Sequence, residues 1–199
     1  MRSLAVFLLA LLLAIPAAAQ PATERIGAWL LSCTTDRMTD RTSCRLQHRD
    51  PVDGAEPPLL LEIIERGGRY LPVLISRDIG LEGAGRVLTA LTATAHMRFP
   101  PARMFEMPCG LYGRSVVCAP RPEDSARVAE EMLAADILLV RLVGIGGAGA
   151  QAAPVELRLD GIAEAVARLR ARVPPGSGLP DGPPGLSLPD VLRRLQELF

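Results

Sequence analysis

Four cysteines constrain this chain more than any other feature of its sequence: Cys33, Cys44, Cys109 and Cys118. All four follow an apolar leader, and disulfides form and persist in the oxidising compartments that exported proteins reach. Four cysteines allow three pairings. We predict the sequential pairing, Cys33–Cys44 and Cys109–Cys118, because each pair brackets a loop rich in turn-forming residues. In the chain-entropy model, closing a loop of about ten residues stabilises a fold by roughly 2–3 kcal/mol.

The N-terminal residues predict export. Arg2 precedes an unbroken apolar run from Leu4 to Ile15, and Pro16 and three alanines follow it. A basic start, a short apolar segment and small residues before a cut are typical of a secretory signal peptide. We place the cut after Ala19. The rival hypothesis, an uncleaved anchor, is weaker because the run is short for a bilayer of about 30 Å and Pro16 breaks the helix.

No cysteine closely follows the predicted cut, so a lipid anchor has no attachment point. We therefore expect the mature protein to be periplasmic or secreted, with no transmembrane span after cleavage. The formal charge is balanced, with 22 basic and 22 acidic residues. Because a nucleic-acid surface needs a basic footprint, this balance argues against a nucleic-acid partner.

Two hairpins are indicated in the first half of the chain. Trp29–Leu31 and Arg45–His48 are strand-like and flank the polar segment between the first two cysteines. The runs 59–66 and 69–77 are separated by Gly67 and Gly68, which is typical of a hairpin with a primed turn. Pro72 lacks an N–H group, so its strand should lie at an edge or carry a bulge there.

The remaining predicted strands are short. A second cysteine-bounded hairpin is expected from residues 104–107 and 111–117, around Gly110 or Gly113. Further strands are predicted at 86–98, 137–143 and 155–160, although alanines leave a helix open as an alternative for the first of these. Many short strands and few helices predict a mainly β fold, an antiparallel β-sandwich or a barrel-like domain.

Two helices and a tethered tail complete the chain. Residues 122–135 carry acids in a predicted first helical turn, and residues 162–172 form an amphipathic pattern. Nine of the thirteen residues from 173 to 185 are proline or glycine, which is typical of a linker. We therefore predict a signal peptide at 1–19, a disulfide-stapled β-rich domain at 20–172, a linker at 173–185 and a C-terminal amphipathic helix at 186–199.

The C-terminal helix is a predicted partner contact. Ser187 and Asp190 form a capping pattern ahead of it. Its apolar stripe consists of Val191, Leu192, Leu195, Leu198 and Phe199. A helix of about three turns is marginal in water, so it must dock on its own domain or on a partner, or stay frayed.

The stretch from Trp29 to Leu46 resembles the invasion associated locus B family of bacterial envelope proteins. In that family a tryptophan precedes a first cysteine, and a Met-Thr-Asp type loop leads to a second cysteine and a strand. Residues 105–109 and 118–119 are similar to the second cysteine pair of the family. Residues 155–162, with Ala165 and Leu169, are similar to its closing strand, glycine and short helix.

Two positions depart from the family pattern. Val117 stands where the pattern has glycine before the last cysteine, and Ile162 stands where it has phenylalanine. The resemblance is therefore to a divergent branch. It implies a β-sheet domain with an envelope role, connected in pathogens with host-cell invasion.

Cofactor binding is not supported by the glycine pattern. Gly144, Gly146 and Gly149 match the letters of a dinucleotide fingerprint, but residues 150–154 leave no room for the helix that would hold a pyrophosphate. A hairpin turn is the simpler interpretation. The cysteines lack the Cys-x-x-Cys spacing of a redox site. We expect no cofactor.

Metal binding is also not predicted. The two histidines, His48 and His96, lie far apart in the sequence and have no ligand spacing. Asp36 and Asp40 are conceivable calcium ligands, but their loop lacks the alternating Asp/Asn pattern of a calcium-binding loop. Solvated loop charges are the simpler interpretation.

Catalysis needs a base beside a nucleophile. His48 follows a strand with Ser43 nearby, and His96 closes a threonine-rich strand, but no Gly-x-Ser-x-Gly motif is present. We therefore expect a non-enzymatic binding module whose partner is an envelope or secreted macromolecule. Two alternatives stay open: an envelope hydrolase that uses His48 or His96, and a carrier with a small apolar ligand between its sheets.

Overall fold

A computed structural model describes residues 22–40, 42–52, 58–77, 93–112, 114–143 and 153–177. The predicted signal peptide, the Gly144-x-Gly146 turn, most of the predicted linker and the C-terminal helix lie outside these residues. Within them no helix is long and apolar enough to cross a membrane.

The strands of the described residues form one curled antiparallel sheet that resembles half of a barrel. This confirms the predicted mainly β, barrel-like class. The order across the sheet is β1-β2-β3-β4-β5-β8-β7-β6-β9-β10. In chain order the strands β1 to β10 are Ala22–Ile26, Trp29–Thr35, Thr42–His48, Leu60–Arg66, Arg69–Ser76, Thr94–Arg98, Phe105–Tyr112, Ser115–Cys118, Ile137–Val143 and Val155–Arg158.

The glycine-separated hairpin is confirmed. β4 and β5 pair along their whole length, from Leu60↔Ile75 to Arg66↔Arg69. Gly67 and Gly68 form the turn with φ angles of 55° and 83°. Two positive φ angles in succession are what a primed turn requires, and only glycine adopts them without strain.

Pro72 lies on an interior strand, whereas the sequence predicted an edge strand or a bulge. β5 is an interior strand, because β4 pairs with it on one side and β8 on the other. Pairing with β8 begins only at Leu74, so at Pro72 the register gives only Ile63 of β4 as a partner. The edge prediction is therefore wrong for the strand as a whole, whereas Pro72 itself lies beyond the end of the second ladder.

Both predicted helices are present and pack on the sheet. A short 3₁₀ turn, Pro122–Asp124, leads into α1, Ser125–Leu133, which contacts β5. The second helix, α2, spans Ile162–Arg172 and contacts β1, β2 and β3. Its apolar residues at helical spacing are all buried: Ile162, Ala165, Val166 and Leu169. Burying a large aliphatic side chain contributes roughly 1.5–3 kcal/mol, so this stripe fixes the helix to the sheet.

The interior between sheet and helices is filled with side chains. Trp29, Phe99 and Leu138 are each no more than 1% exposed and belong to one continuous cluster with residues of both helices. Native interiors pack at the density of organic crystals, so a filled core leaves little room for a ligand. This arrangement does not support the predicted carrier with a ligand held between two sheets.

The sheet is tied together where its first hairpin meets its last strand. The backbone N–H of Ala28, in the turn between β1 and β2, donates to the carbonyl oxygen of Asp160 at 2.9 Å. Gly27 precedes it with φ of 56°, and a Cβ atom on Gly27 would lie 2.2 Å from that same oxygen. Only a glycine allows this close approach of the two backbones.

We predict that Gly27→Ala lowers the free energy of unfolding by more than about 2 kcal/mol, because it adds a backbone clash to the cost of a positive φ. Gly68→Ala is the matched control: its φ is 83°, but nothing lies within 4 Å of the added Cβ atom. The control should therefore lose only about 1–2 kcal/mol. Urea unfolding of both variants measures this, and equal losses would contradict the proposed close contact.

Candidate functional site

The first disulfide anchors a projecting hairpin. Cys33 of β2 and Cys44 of β3 are directly opposite each other and form the predicted bond. The strands continue beyond the bond to Thr35 and Thr42, whose hydroxyl groups lie 2.9 Å apart. The prediction that the whole segment between the cysteines is a loop is therefore wrong at its ends. Cross-strand threonine pairs extend the ladder there.

The turn at the tip of this hairpin is ordered by Asp36. Its carboxylate accepts hydrogen bonds from the backbone N–H of Met38 at 2.8 Å and from the hydroxyl of Thr39 at 3.0 Å. The bond from Met38, followed by that from Thr39, lowers the pKa of Asp36 from its ordinary value of 3.8. Both carboxylate oxygens of Asp36, which a calcium ion would need as ligands, are therefore used in hydrogen bonds within the turn.

Met38 lies at this tip and is 92% exposed, while the other large exposed hydrophobic side chains among the described residues are at most 54% exposed. A methionine is flexible and polarisable, so it adapts to varied apolar partners. The backbone N–H of Met38 is bonded to Asp36, and the Cys33–Cys44 disulfide closes the base of the hairpin. We call residues 34–40 and 42–43 the Met38 hairpin; it presents one apolar side chain beside the Asp36 hydrogen bonds.

The second disulfide joins Cys109 of β7 and Cys118 of β8, again as predicted. The hairpin differs from its prediction, because Gly110 lies within β7 and the tip lies between Tyr112 and Ser115. Strands alternate in direction across the sheet, so this tip is at the opposite end from the Met38 hairpin. The two stapled hairpins therefore do not form one surface.

His48 is a structural residue. It is 1% exposed, and its ring meets the Trp29 ring edge-on with 5.3 Å between centroids. The backbone N–H of Asp50 is 3.1 Å from Nδ1, and the carbonyl oxygen of Arg158 is 2.8 Å from Nε2. Because a carbonyl oxygen only accepts, Nε2 donates to Arg158, and Nδ1 also lies 3.1 Å from the carbonyl oxygen of Asp50. Nε2 thus joins the end of β3 to the end of β10, while Nδ1 contacts the backbone that directly follows β3.

The hydrolase alternative named Ser43 as a hydroxyl near His48, and the structure keeps the two residues apart. Both residues are on β3, and five extended residues separate them by roughly 16 Å. The Ser43 hydroxyl instead lies 3.2 Å from that of Thr34 on the neighbouring strand. The structure therefore brings no hydroxyl nucleophile from this hairpin to His48.

His96 lies on the outer face of β6 in a shallow cleft of about 320 Å³. Its cross-strand neighbours are Glu106 on β7 and Arg141 on β9. Glu106 accepts a hydrogen bond from Arg121 at 3.3 Å. The described residues contain no group of three or more His, Cys, Asp or Glu side chains placed to hold a metal ion.

The start of the predicted linker is fixed to the sheet. The Tyr70 hydroxyl donates to the carbonyl oxygen of Val173 at 2.5 Å, and the backbone N–H of Gly176 donates to Glu65 at 2.8 Å. Residues 173–177 therefore lie against β4 and β5, at the same end of the sheet as the Met38 hairpin. The predicted contact residues Val191, Leu192, Leu195, Leu198 and Phe199 lie outside the described residues.

The fold and its two stapled hairpins define a disulfide-bonded, mainly β class of protein. No protein-family model and no curated protein matches the chain. Among solved structures, the chain is similar to invasion associated protein B from Bartonella henselae, with 14% identity and a TM-score of 0.43. The match covers 75% of this chain and 96% of that chain.

We predict that His48→Ala destabilises the protein by about 2–5 kcal/mol, because it removes the hydrogen bonds of a buried ring to Asp50 and Arg158 and opens a cavity beside Trp29. His96→Ala, the control, removes one cross-strand neighbour on a partly exposed face and should cost no more than about 1 kcal/mol. Denaturant unfolding of both variants measures the difference. A well-folded His48→Ala protein with unchanged stability would contradict the structural role.

We predict that the Asp36 turn loosens at acid pH. Because the folded-state pKa of Asp36 is lowered, its contribution is complete above about pH 3.8 and is lost as the pH falls through the folded-state value. The amide resonance of Met38 should therefore titrate with a midpoint below 3.8 in an NMR pH series. Asp36→Asn should abolish that titration, and a midpoint above 3.8 would contradict the hydrogen-bonded carboxylate.

Proposed function

We propose that the protein is an exported, non-enzymatic binding module of the bacterial envelope, and a divergent relative of the invasion associated locus B family. The carrying observation is Met38, which is 92% exposed at the tip of a disulfide-anchored hairpin. The two disulfides support an oxidising compartment outside the cytoplasm. The apolar leader and the cysteine-flanking residues of the sequence support the same address and family.

The Met38 hairpin has the physical properties of a contact loop. Binding residues are commonly found on loops that a rigid scaffold positions. A loop that is already ordered loses less conformational entropy when it binds, so more of its contact energy appears as affinity. The Asp36 hydrogen bonds and the Cys33–Cys44 bond supply that order before any partner arrives.

The C-terminal tail is a second proposed contact. Its apolar stripe, residues 191–199, follows a linker whose first residues are held beside the Met38 hairpin. A tail tethered there reaches the same partner as the hairpin without a long search. We propose that the tail adds to partner contact and is not needed for folding of the domain.

A binding role agrees with the roles that the histidines have in the structure. His48 uses both ring nitrogens for backbone contacts within the fold. His96 faces a shallow cleft between a carboxylate and a guanidinium group on neighbouring strands. We therefore prefer a macromolecular partner to a hydrolase substrate. A role in host-cell invasion is implied only by the family resemblance and depends on the producing organism.

We predict that Met38→Glu lowers recovery of the partner about tenfold or more, because a charge replaces an apolar contact worth at least about 1.4 kcal/mol. The measurement is quantitative affinity capture from the envelope of the producing cell, with thermal melting recorded for each variant. Met104→Glu is the matched control, since Met104 is also exposed, at 48%, but lies just before β7 beside the cleft of His96.

A protein counts as the partner only if Met38→Glu loses it and Met104→Glu retains it. Truncation after Ser177 in the same assay measures what the tail adds, and it leaves residues 173–177 on the sheet. Identical recovery of all proteins by Met38→Glu and by the parent would overturn the hairpin as the contact.

A further inference from the structure

We propose that the Cys33–Cys44 disulfide is a site of thiol–disulfide exchange, at which a dithiol reductant attacks Cys44 and Cys33 leaves as a thiolate beside Arg172. Cys109–Cys118 is the inert, structural bond of the same molecule. The inference concerns the chemistry of the bond and does not depend on the identity of a binding partner.

The two disulfides differ in their access to solvent. Cys109 and Cys118 are 3% and 0% exposed and belong to the main core. Cys33 and Cys44 are only partly buried and pack at the margin of that core. Exchange requires a thiolate to reach one sulfur along the S–S axis, so access favours the first bond.

A cleft leads to the Cys44 side of that bond. β3 and β4 pair only at Leu46↔Ile63 and Gln47↔Glu62, so the ladder between them stops before it reaches Cys44. Beyond this point the strands border a cleft of about 400 Å³, which Cys44 lines together with Ile63, Leu169 and Val173. The cleft is also lined by charged side chains, and it gives a small dithiol a route to Cys44.

The negative charges of the cleft are largely offset. Glu62 is 2% exposed and pairs with Arg77 at 2.5 Å, and Arg45 lies 3.9 Å from its other oxygen. Glu65 accepts the backbone N–H groups of Gly68 and Gly176, each at 2.8 Å. An approaching thiolate therefore meets arginines as well as carboxylates at this opening.

Arg172 lies on the Cys33 side of the bond. It is the last residue of α2, and its Nη1 atom is 3.9 Å from the Cys33 sulfur. A guanidinium at this distance stabilises a thiolate, and a stabilised thiolate is the better leaving group in exchange. Attack from the cleft on Cys44 thus expels Cys33 towards the charge that stabilises it.

The electrons and atoms balance in two steps. First, a reductant thiolate forms a bond to the Cys44 sulfur, the Cys33–Cys44 bond breaks, and Cys33 leaves as a thiolate that takes a proton from water. Second, the other thiol of the reductant gives its proton to water, and its thiolate bonds to the reductant sulfur of the mixed disulfide; the bond to Cys44 breaks, and Cys44 leaves as a thiolate that takes a proton from water. The protein gains two electrons and two protons, and the dithiol is oxidised to its own disulfide.

Reduction would remove the covalent anchor of the Met38 hairpin and leave the Cys109–Cys118 hairpin closed. The loop would then regain conformational freedom that the bond had removed. Exchange at this site is thus a way to change the order of one hairpin without unfolding the core.

The test is a time course of native protein in dithiothreitol, quenched by alkylation and mapped by mass spectrometry. We expect Cys33 and Cys44 to be labelled at least about tenfold faster than Cys109 and Cys118, whose exposure needs a larger opening of the fold. Labelling of all four cysteines at one rate, or of Cys109 and Cys118 first, would overturn the proposal.

Arg172→Gln tests the leaving group. It should slow reduction of Cys33–Cys44 by about two- to fivefold, as expected for the loss of one exposed charge about 4 Å from the sulfur. Arg168→Gln is the control on the same helix, because Arg168 pairs with Glu24 and Glu164 instead. Equal rates for the two variants would exclude the role of Arg172.

Reduced glutathione tests the direction of attack. A monothiol leaves a mixed disulfide that alkylation can trap before it resolves. We expect the glutathione on Cys44 and the alkyl group on Cys33. The reverse distribution would show that attack occurs at Cys33 and would overturn the proposed assignment of nucleophilic and leaving positions.

Discussion

Two long-range hydrogen bonds hold the first strands of this curled sheet to the end of its last strand. His48 joins the end of β3 to the carbonyl group of Arg158, 110 residues later in the chain, and Ala28 joins the first turn to Asp160. α2 packs against β1, β2 and β3, the strands that these bonds hold to the end of β10. A buried backbone group that loses its partner costs about 1–3 kcal/mol. The hydrogen bonds between the two parts of the sheet and the packing of α2 therefore stabilise each other.

Local features of the sequence predicted local structure well. Gly67 and Gly68 require positive φ angles, so they identified the turn between β4 and β5. The apolar spacing of residues 162–172 identified α2 with its observed ends. The disulfide pairing followed from the fact that each cysteine pair brackets its own hairpin. In these cases the controlling interactions join residues that are close in the chain.

Features that depend on distant contacts could not be predicted in the same way. The sequence of β1 has little alternation of apolar and polar residues. β1 forms because each of its residues pairs with a residue of β2. The role of His48 requires a carbonyl group from the far end of the chain, and the environment of each disulfide depends on neighbours such as Arg172. At the Met38 hairpin the sequence offered Asp36 only as a candidate calcium ligand. The available signal was an aspartate two residues before Met38, because an aspartate side chain in a turn commonly accepts a hydrogen bond from the backbone N–H two residues later.

The attachment of residues 173–177 has a geometric consequence. Val173 and Gly176 are held by Tyr70 and Glu65, and Ser177 lines the same cleft as Cys44. Any segment that follows Ser177 therefore starts next to the base of the Met38 hairpin. For a partner already touching the hairpin, such a segment is present at a high effective concentration. If the hairpin and that segment contact one partner, as proposed, two weak contacts would combine into avidity, and neither would have to be strong by itself.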